Sequence, residues 1–189
     1  PYLKKAVTKD YDLKKIAALV KTRIEILPDI CEQIDFFEEV PEYDSAMYRH
    51  KKMKTTEEIA LSSLKACVPV LEGITDWNET VIHDTLMALV GELGIKNGQL
   101  LWPVRTALSG KPTSPGGAME LADILGKEET LKRIEKGIEL LKKAKKERNS
   151  DIETIIRKLG KEKTEFLIEI LEEISAIMDE ESKVEKKHD

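Results

Sequence analysis

The chain has 189 residues, 41% of them hydrophobic, 35% charged and 5% aromatic, with a formal net charge of -5. The length suffices for one large or two small domains, each with its own core, and the low aromatic share disfavours a large all-β fold and favours helices. Residues 150–189 hold 7 basic and 12 acidic groups, which accounts for the whole net charge, so residues 1–149 are neutral overall; a strong non-specific DNA binder is excluded, while a local basic face is not.

Apolar residues recur with a helical period almost throughout. Leu13, Ile16, Ala17, Val20, Ile24 and Leu27 line one face of a first helix, which Pro28 should end. Asp29 is placed to cap a short helix over residues 30–37, and residues 41–45 read as a loop. The basic run Arg49-His50-Lys51-Lys52-Met53-Lys54 lacks the serine and glycines of a nucleotide-handling lysine loop and reads as a solvated basic start to a helix. Thr55 and Glu58 have capping-box spacing and open a helix with Ile59, Leu61, Leu64, Cys67, Val68 and Leu71 inward; Pro69 is a kink candidate and Gly73 a stop. Asp76 and Glu79 form a second capping box, ahead of a helix that uses Trp77, Ile82, Leu86, Leu89, Val90 and Leu93 and stops at Gly94.

Residues 96–115 are punctuated by Gly98, Pro103, Gly110, Pro112 and Pro115 around a short helical run, 101–108. Ser114-Pro115 has the form of an N-cap followed by the first helical residue, for a helix running to Leu125 and stopped by Gly126. A further helix starts near Lys127 with Leu131, Ile134, Ile138 and Leu141 inward. Residues 142–148 read as a charged connector, 152–159 and 166–178 as amphipathic stretches split by Gly160, and 179–189 as disordered. No strand and no internal repeat is expected.

Cys31 and Cys67 lie far apart outside any CxxC pair and read as reduced core thiols of a cytoplasmic protein. No apolar run is long enough to span a membrane, and the N-terminus lacks a signal-peptide core. The first residue is Pro1, which marks the chain as an expected fragment or processed product. His50, His83 and His188 are scattered without metal-ligand spacing, and no Walker or Rossmann glycine loop occurs, so no catalytic residue and no metal site is assigned.

One stretch carries more. Residues 94–110 present a glycine-rich turn, Gln99, and then Pro103-Val104-Arg105-Thr106-Ala107-Leu108-Ser109-Gly110; Ser114-Pro115-Gly116 and Leu125-Gly126-Lys127-Glu128 follow. The order and spacing of these pieces closely resemble the C-terminal anticodon-binding region of bacterial glutamyl-tRNA synthetases. Tyr11-Asp12-Leu13, Arg23-Ile24-Glu25-Ile26-Leu27 and Phe36-Phe37 resemble the helical subdomain that precedes it, so the resemblance covers residues 1 to about 141.

The resemblance implies an all-α fold of two small helical subdomains, 1–50 and 51–141, followed by a charged helical tail, 142–189. It implies binding to tRNA, through the anticodon loop of a glutamate tRNA, with Arg23 reading the third anticodon base and Arg105, Ser114, Pro115 and Gly116 on the anticodon face. Gly117 departs from the larger apolar residue that the family often has there. Unpaired loop bases suit this mode of reading, a guanidinium offers a rigid fork of donors, and a glycine-rich helix start leaves backbone N–H groups free. Lys111, Lys127, Lys132 and Arg133 are candidates for sequence-blind contacts to the tRNA backbone. The parent enzyme would ligate glutamate to tRNA using ATP and Mg²⁺, held by an N-terminal catalytic domain of the same polypeptide; no cofactor is expected here, nor a DNA or membrane partner.

Each residue also has a structural reading. Arg105 could pair with a carboxylate, Arg23 could be a surface helix residue, Trp102 suits a core position better than a base-stacking platform, and Ser114-Pro115 is helix-start chemistry in any case. A freestanding RNA-binding or regulatory domain, and a helical protein-interaction module supported by the acidic tail, remain the alternatives.

Overall fold

A computed structural model describes residues 2–21 and 29–185. Among these residues it is helical, with α1 (Tyr2–Ala6), α2 (Leu13–Val20), α3 (Ile30–Glu38), a 3-10 turn over Ser45–Tyr48, α4 (Glu57–Glu72), α5 (Glu79–Leu93), α6 (Asn97–Ser109), α7 (Ala118–Leu159) and α8 (Lys161–Glu185). The chain divides into two compact units, Pro1–Lys143 and Ala144–Asp189. The boundary expected after residue 50 therefore falls inside the first unit.

In the first unit α1 packs on α3, and α4 packs on α5, α6 and the 3-10 turn. The core gathers Ile16, Ile34, Phe36, Phe37, Tyr48, Leu64, Leu71, Leu86, Leu100, Leu108 and Leu121, all fully buried. Tyr48 sits deepest among the polar rings, and burial drives its hydroxyl far above the ordinary tyrosine range. Its partner is the Tyr43 hydroxyl at 2.8 Å.

Stops were legible and starts were displaced. Gly94 and Gly110 end α5 and α6 with φ of 62° and 61°, the left-handed conformation that makes glycine the favoured terminator. Gly126 breaks α7 with φ 76° and ψ 168°, where a stop was expected. The caps differ. Thr56, not Thr55, accepts from the Ile59 N–H and starts α4, because Thr55 is already paired with His50 in an isolated bridge. Asn78, not Asp76, accepts from the Val81 N–H and starts α5. Asp29 precedes α3 in helical backbone and makes no side-chain cap. Ser114 does not start a helix: α7 opens at Ala118, and the Gly117 N–H donates to Glu120 Oε2 at 3.0 Å. Residues 142–148, expected as a connector, and 179–185, expected to be disordered, lie within helices.

Polar groups set the rotation of α4. Its buried face keeps Leu64, Cys67 and Leu71 of the set read from periodicity and adds Glu57, Ala60 and Ser63, while Ile59, Leu61 and Val68 are only partly buried. Pro103 lies inside α6 and has no N–H for the carbonyl of Gln99, four residues earlier. The Ser63 hydroxyl supplies the missing donor, at 2.9 Å. Glu57 accepts from Ser45 Oγ at 2.9 Å and from Arg49 Nη2 at 3.1 Å. Gly137 lets α7 approach closely: a Cβ there would strike the Tyr48 hydroxyl and come within 3.2 Å of Ala107 Cβ.

Candidate nucleic-acid interface

Arg105 lies on α6, four residues before Ser109, in a helix whose first turn is closed by the Lys96 N–H donating to Gln99 Oε1. Its guanidinium is half-buried, and desolvation lowers its pKa from the ordinary arginine value. Its partners are not carboxylates. Nη1 donates to Ser114 Oγ at 3.1 Å, and Nη2 donates to the carbonyls of Lys111 and Pro112 at 3.2 and 3.1 Å. Nε is buried without a partner among the described residues. Arg105 thus clasps the loop between α6 and α7, and one Nη1 hydrogen is left over from these bonds.

The guanidinium carbon also stands 4.2 Å from the centroid of the Trp102 ring. The His50 ring lies 4.0 Å from that same centroid, tilted by 56°. Trp102 Nε1 donates to the Met47 carbonyl at 3.1 Å, which ties α6 to the 3-10 turn. Trp102, expected in the core, is only partly buried and carries a cationic group stacked beside it.

His50 leads into a tight hairpin. Its N–H donates to the Thr55 carbonyl and its carbonyl accepts from the Thr55 N–H, at 3.1 and 3.2 Å. The Met53 N–H donates to His50 Nδ1, and Gln99 Nε2 donates to the Lys54 carbonyl, both at 3.2 Å. Lys54 takes a positive φ of 54°. Lys51, Lys52 and Lys54 all project from this hairpin into solvent. The basic run is therefore not the start of α4 but a fixed turn docked on α6, on the same side as Trp102 and Arg105. Periodicity could not reveal it; the signal in the sequence was the density of basic residues ahead of a helix cap.

The other expected site residues fall in different settings. Arg23 lies outside the described residues. Ser114, Pro115 and Gly116 are buried. Ser114 Oγ donates to the Gly116 carbonyl at 2.7 Å, and Leu19 of α2 covers Gly116, so a Cβ there would lie 3.1 Å from Leu19 Cδ1. Exposed Pro112 and Thr113 form the outer edge of the same turn. Lys111 is turned inward, donating to the Glu32 carbonyl at 2.6 Å and pairing with Asp35.

Lys127 caps the end of α4, donating to the carbonyls of Glu72 and Ile74 at 2.6 and 2.7 Å. Arg133 is 3% exposed, and it donates inside the fold: to the carbonyls of Phe36, Leu108 and Phe37 at 2.8, 2.7 and 3.2 Å, and to Glu129 Oε1 at 2.7 Å. Arg133 is thus buried and bonded within the fold, and the carbonyls at the end of α4 hold Lys127. Lys132 is the exposed member of the group, with Glu129 3.7 Å from its Nζ. Burial pushes the Glu129 carboxyl up, but the hydrogen bond and charge of Arg133 outweigh it and hold the group below its ordinary value.

Among the described residues, no group of three or more His, Cys, Asp or Glu side chains converges as metal ligands would. No helix among them is long and apolar enough to cross a membrane.

A helical unit that presents a stacked tryptophan and arginine beside a lysine hairpin has the features of a surface for unpaired nucleic acid. In comparison with known families, residues 1–138 fit the family described as an anticodon binding domain, and the chain belongs to that family. Its relatives are glutamate–tRNA ligases. Those of Clostridium tetani and Lachnoclostridium phytofermentans are 58% and 59% identical over 142 and 141 residues, each match covering 75% of this chain and 29% of the relative. The chain thus spans about 29% of the length of the curated relatives it matches. Among solved structures, a glutamate tRNA ligase from Elizabethkingia meningosepticum, in complex with its amino acid, aligns with a TM-score of 0.61 and 28% identity, over 74% of this chain and 28% of that one. The glutamate-tRNA synthetase of Elizabethkingia anophelis aligns with a TM-score of 0.55 and 26% identity, over 72% and 27% of the two chains.

Proposed function

We propose that this chain reads the anticodon loop of a glutamate tRNA as the C-terminal part of a cytoplasmic glutamate–tRNA ligase. The observation that carries the reading is the Arg105–Trp102–His50 cluster beside the exposed Lys51, Lys52 and Lys54, in a chain of the anticodon-binding family. In the whole enzyme, a catalytic domain of the same polypeptide would hold ATP and Mg²⁺ and join glutamate to tRNA. No residue of this chain is assigned to that chemistry.

Three roles follow. Arg105 holds the loop after α6 in place, and its spare donor and stacked face are offered to an anticodon base. Ser114, Pro115 and Gly116 form the buried turn that sets the path of this loop, and its exposed edge at Pro112 and Thr113 meets the RNA. Arg23 reads the third anticodon base. The lysines of the hairpin and Lys132 contact phosphates without regard to sequence.

Site-directed variants of the full chain, titrated with glutamate tRNA, test this assignment. Arg105→Ala should weaken binding at least tenfold, a loss of about 1.4 kcal/mol. Arg23→Gln should relax discrimination at the third anticodon base while leaving overall affinity nearly intact. Lys51→Ala with Lys52→Ala should lower affinity for every tRNA alike and flatten the dependence on salt, by roughly one unit of slope for each phosphate no longer neutralised. Wild-type affinity in the Arg105→Ala variant would return Arg105 to a purely structural role.

A further inference from the structure

The second unit, Ala144–Asp189, begins beyond the residues that match the family, and the anticodon-binding role does not use it. Its helices are amphipathic, and their apolar faces are bare. On the last turns of α7, Ile152, Ile155 and Ile156 are 48%, 54% and 44% exposed, with Leu159 completing the i, i+3, i+4, i+7 pattern of one face. On α8, Phe166, Leu167, Ile170, Leu171, Ile174 and Ile177 recur at three- and four-residue steps and are each 36% to 64% exposed. Such stripes on a water-facing helix mark an interaction surface.

The two faces cannot cover each other within one chain. Only Gly160 separates α7 from α8, with a φ of 78°. Helical hydrogen bonding closes up to it on both sides: the Gly160 N–H donates to the Ile156 carbonyl, and the Thr164 N–H and hydroxyl donate to the Gly160 carbonyl. Two antiparallel helices need a loop of about two to five residues to fold back on one another. A single residue does not provide it.

The two faces carry opposite charge. From Ala144 to Leu159 basic side chains outnumber acidic ones, and Lys145 lies seven residues before Ile152, on the same helix face. On α8 acidic side chains outnumber basic ones, and Glu169 and Glu173, four residues apart, run along one edge of the apolar stripe. We propose that the second unit is a self-association module, in which the end of α7 in one chain packs against α8 of a second copy and the reverse. A two-fold pairing of this kind satisfies both stripes and both charge patterns at once, and it closes at two copies. It would place two anticodon-binding units in one particle.

Sedimentation velocity on the full 189-residue chain over a range of concentrations tests the proposal. The expected species is a dimer that dissociates on dilution. Leu171→Glu with Ile174→Glu, both at exposed positions, should give a monomer at concentrations where the wild type is dimeric, with an unchanged far-ultraviolet circular dichroism spectrum. Lys145→Glu with Lys158→Glu should weaken the dimer, as should Glu169→Lys with Glu173→Lys, and mixing these two variants should restore it. A monomer at every concentration would overturn the proposal. So would a dimer that survives Leu171→Glu with Ile174→Glu, or charge-reversed variants that fail to recover on mixing. Binding of the monomeric chain to anionic lipid vesicles through this face would likewise replace self-association by a membrane surface.

Discussion

Replacing Arg133 with methionine should cost about 3–5 kcal/mol of stability in the first unit, because a buried charge network loses its centre. The carbonyls of Phe36 and Phe37 belong to the last turn of α3, and that of Leu108 to the last turn of α6. Neither turn has helical donors for its final carbonyls, and both present the negative end of a helix dipole to the guanidinium. Methionine retains much of the apolar stem but no donor. Three carbonyls are then left buried and short of a partner, at about 1 kcal/mol or more each, and Glu129 loses its strongest partner.

The assay is urea unfolding followed by tryptophan fluorescence, since Trp77 and Trp102 both lie in the first unit. With a slope near 2 kcal/mol per molar urea, the midpoint should fall by about 2 M. Arg133→Lys keeps the charge but not the planar fork, and should recover only part of the loss. At low temperature, where the variant remains folded, the salt slope of tRNA binding should match the wild type, because the Arg133 guanidinium is bonded within the fold. A destabilisation below about 1 kcal/mol would refute the network as a structural keystone, and a reduced salt slope in the folded Arg133→Lys variant would return Arg133 to the RNA surface.

Three further outcomes are expected. Gly137→Ala should destabilise by about 1–2 kcal/mol, since overpacking against Tyr48 and Ala107 exceeds the roughly 1 kcal/mol of helix propensity that alanine brings; a more stable variant in the same unfolding assay would contradict the tight α7 approach. Ser63→Ala should cost about 1–3 kcal/mol by orphaning the Gln99 carbonyl, and combining it with Pro103→Ala, which restores the helical N–H, should recover part of that loss. Glu129 has a folded pKa below its ordinary value, so its contribution is present above the unfolded carboxylate pKa and is lost as pH falls through the folded one. Glu129→Gln should therefore destabilise at neutral pH and converge with the wild type in acid; a difference that is constant with pH would show that the charge of Glu129 does not matter.

Much of the helical order was legible because stops are local. A glycine such as Gly94, Gly110 or Gly126 ends a helix through its own φ, whatever lies around it. Starts depend on which of several eligible residues adopts extended backbone, and tertiary contacts make that choice. Thr55 has the capping-box partner Glu58 in sequence, yet its bridge to His50 leaves Thr56 as the cap. At residues 114–117 the serine is drawn into the Arg105 clasp, so the helix starts three residues later at a glycine cap.

Charged side chains were harder to read, for a related reason. Lys111, Lys127 and Arg133 resemble surface cations in sequence, yet each satisfies the carbonyls at a helix end or within a helix, partners that are distant along the chain. Conversely, Lys51 to Lys54 read as a bland helix start, and the hairpin that docks them on α6 depends on the Gln99 and Trp102 contacts. The motif around Arg105 pointed to the correct family. That Arg105 binds its own loop with three hydrogen bonds could not be read from spacing.

The most direct test of the functional account is equilibrium binding of the full chain to glutamate tRNA and to the same tRNA with its anticodon bases replaced, measured at several salt concentrations. Affinity should be at least tenfold higher for the native anticodon, a difference of about 1.4 kcal/mol or more, with binding to both RNAs weakening as salt rises. Equal affinity for the two tRNAs at every salt concentration would contradict it.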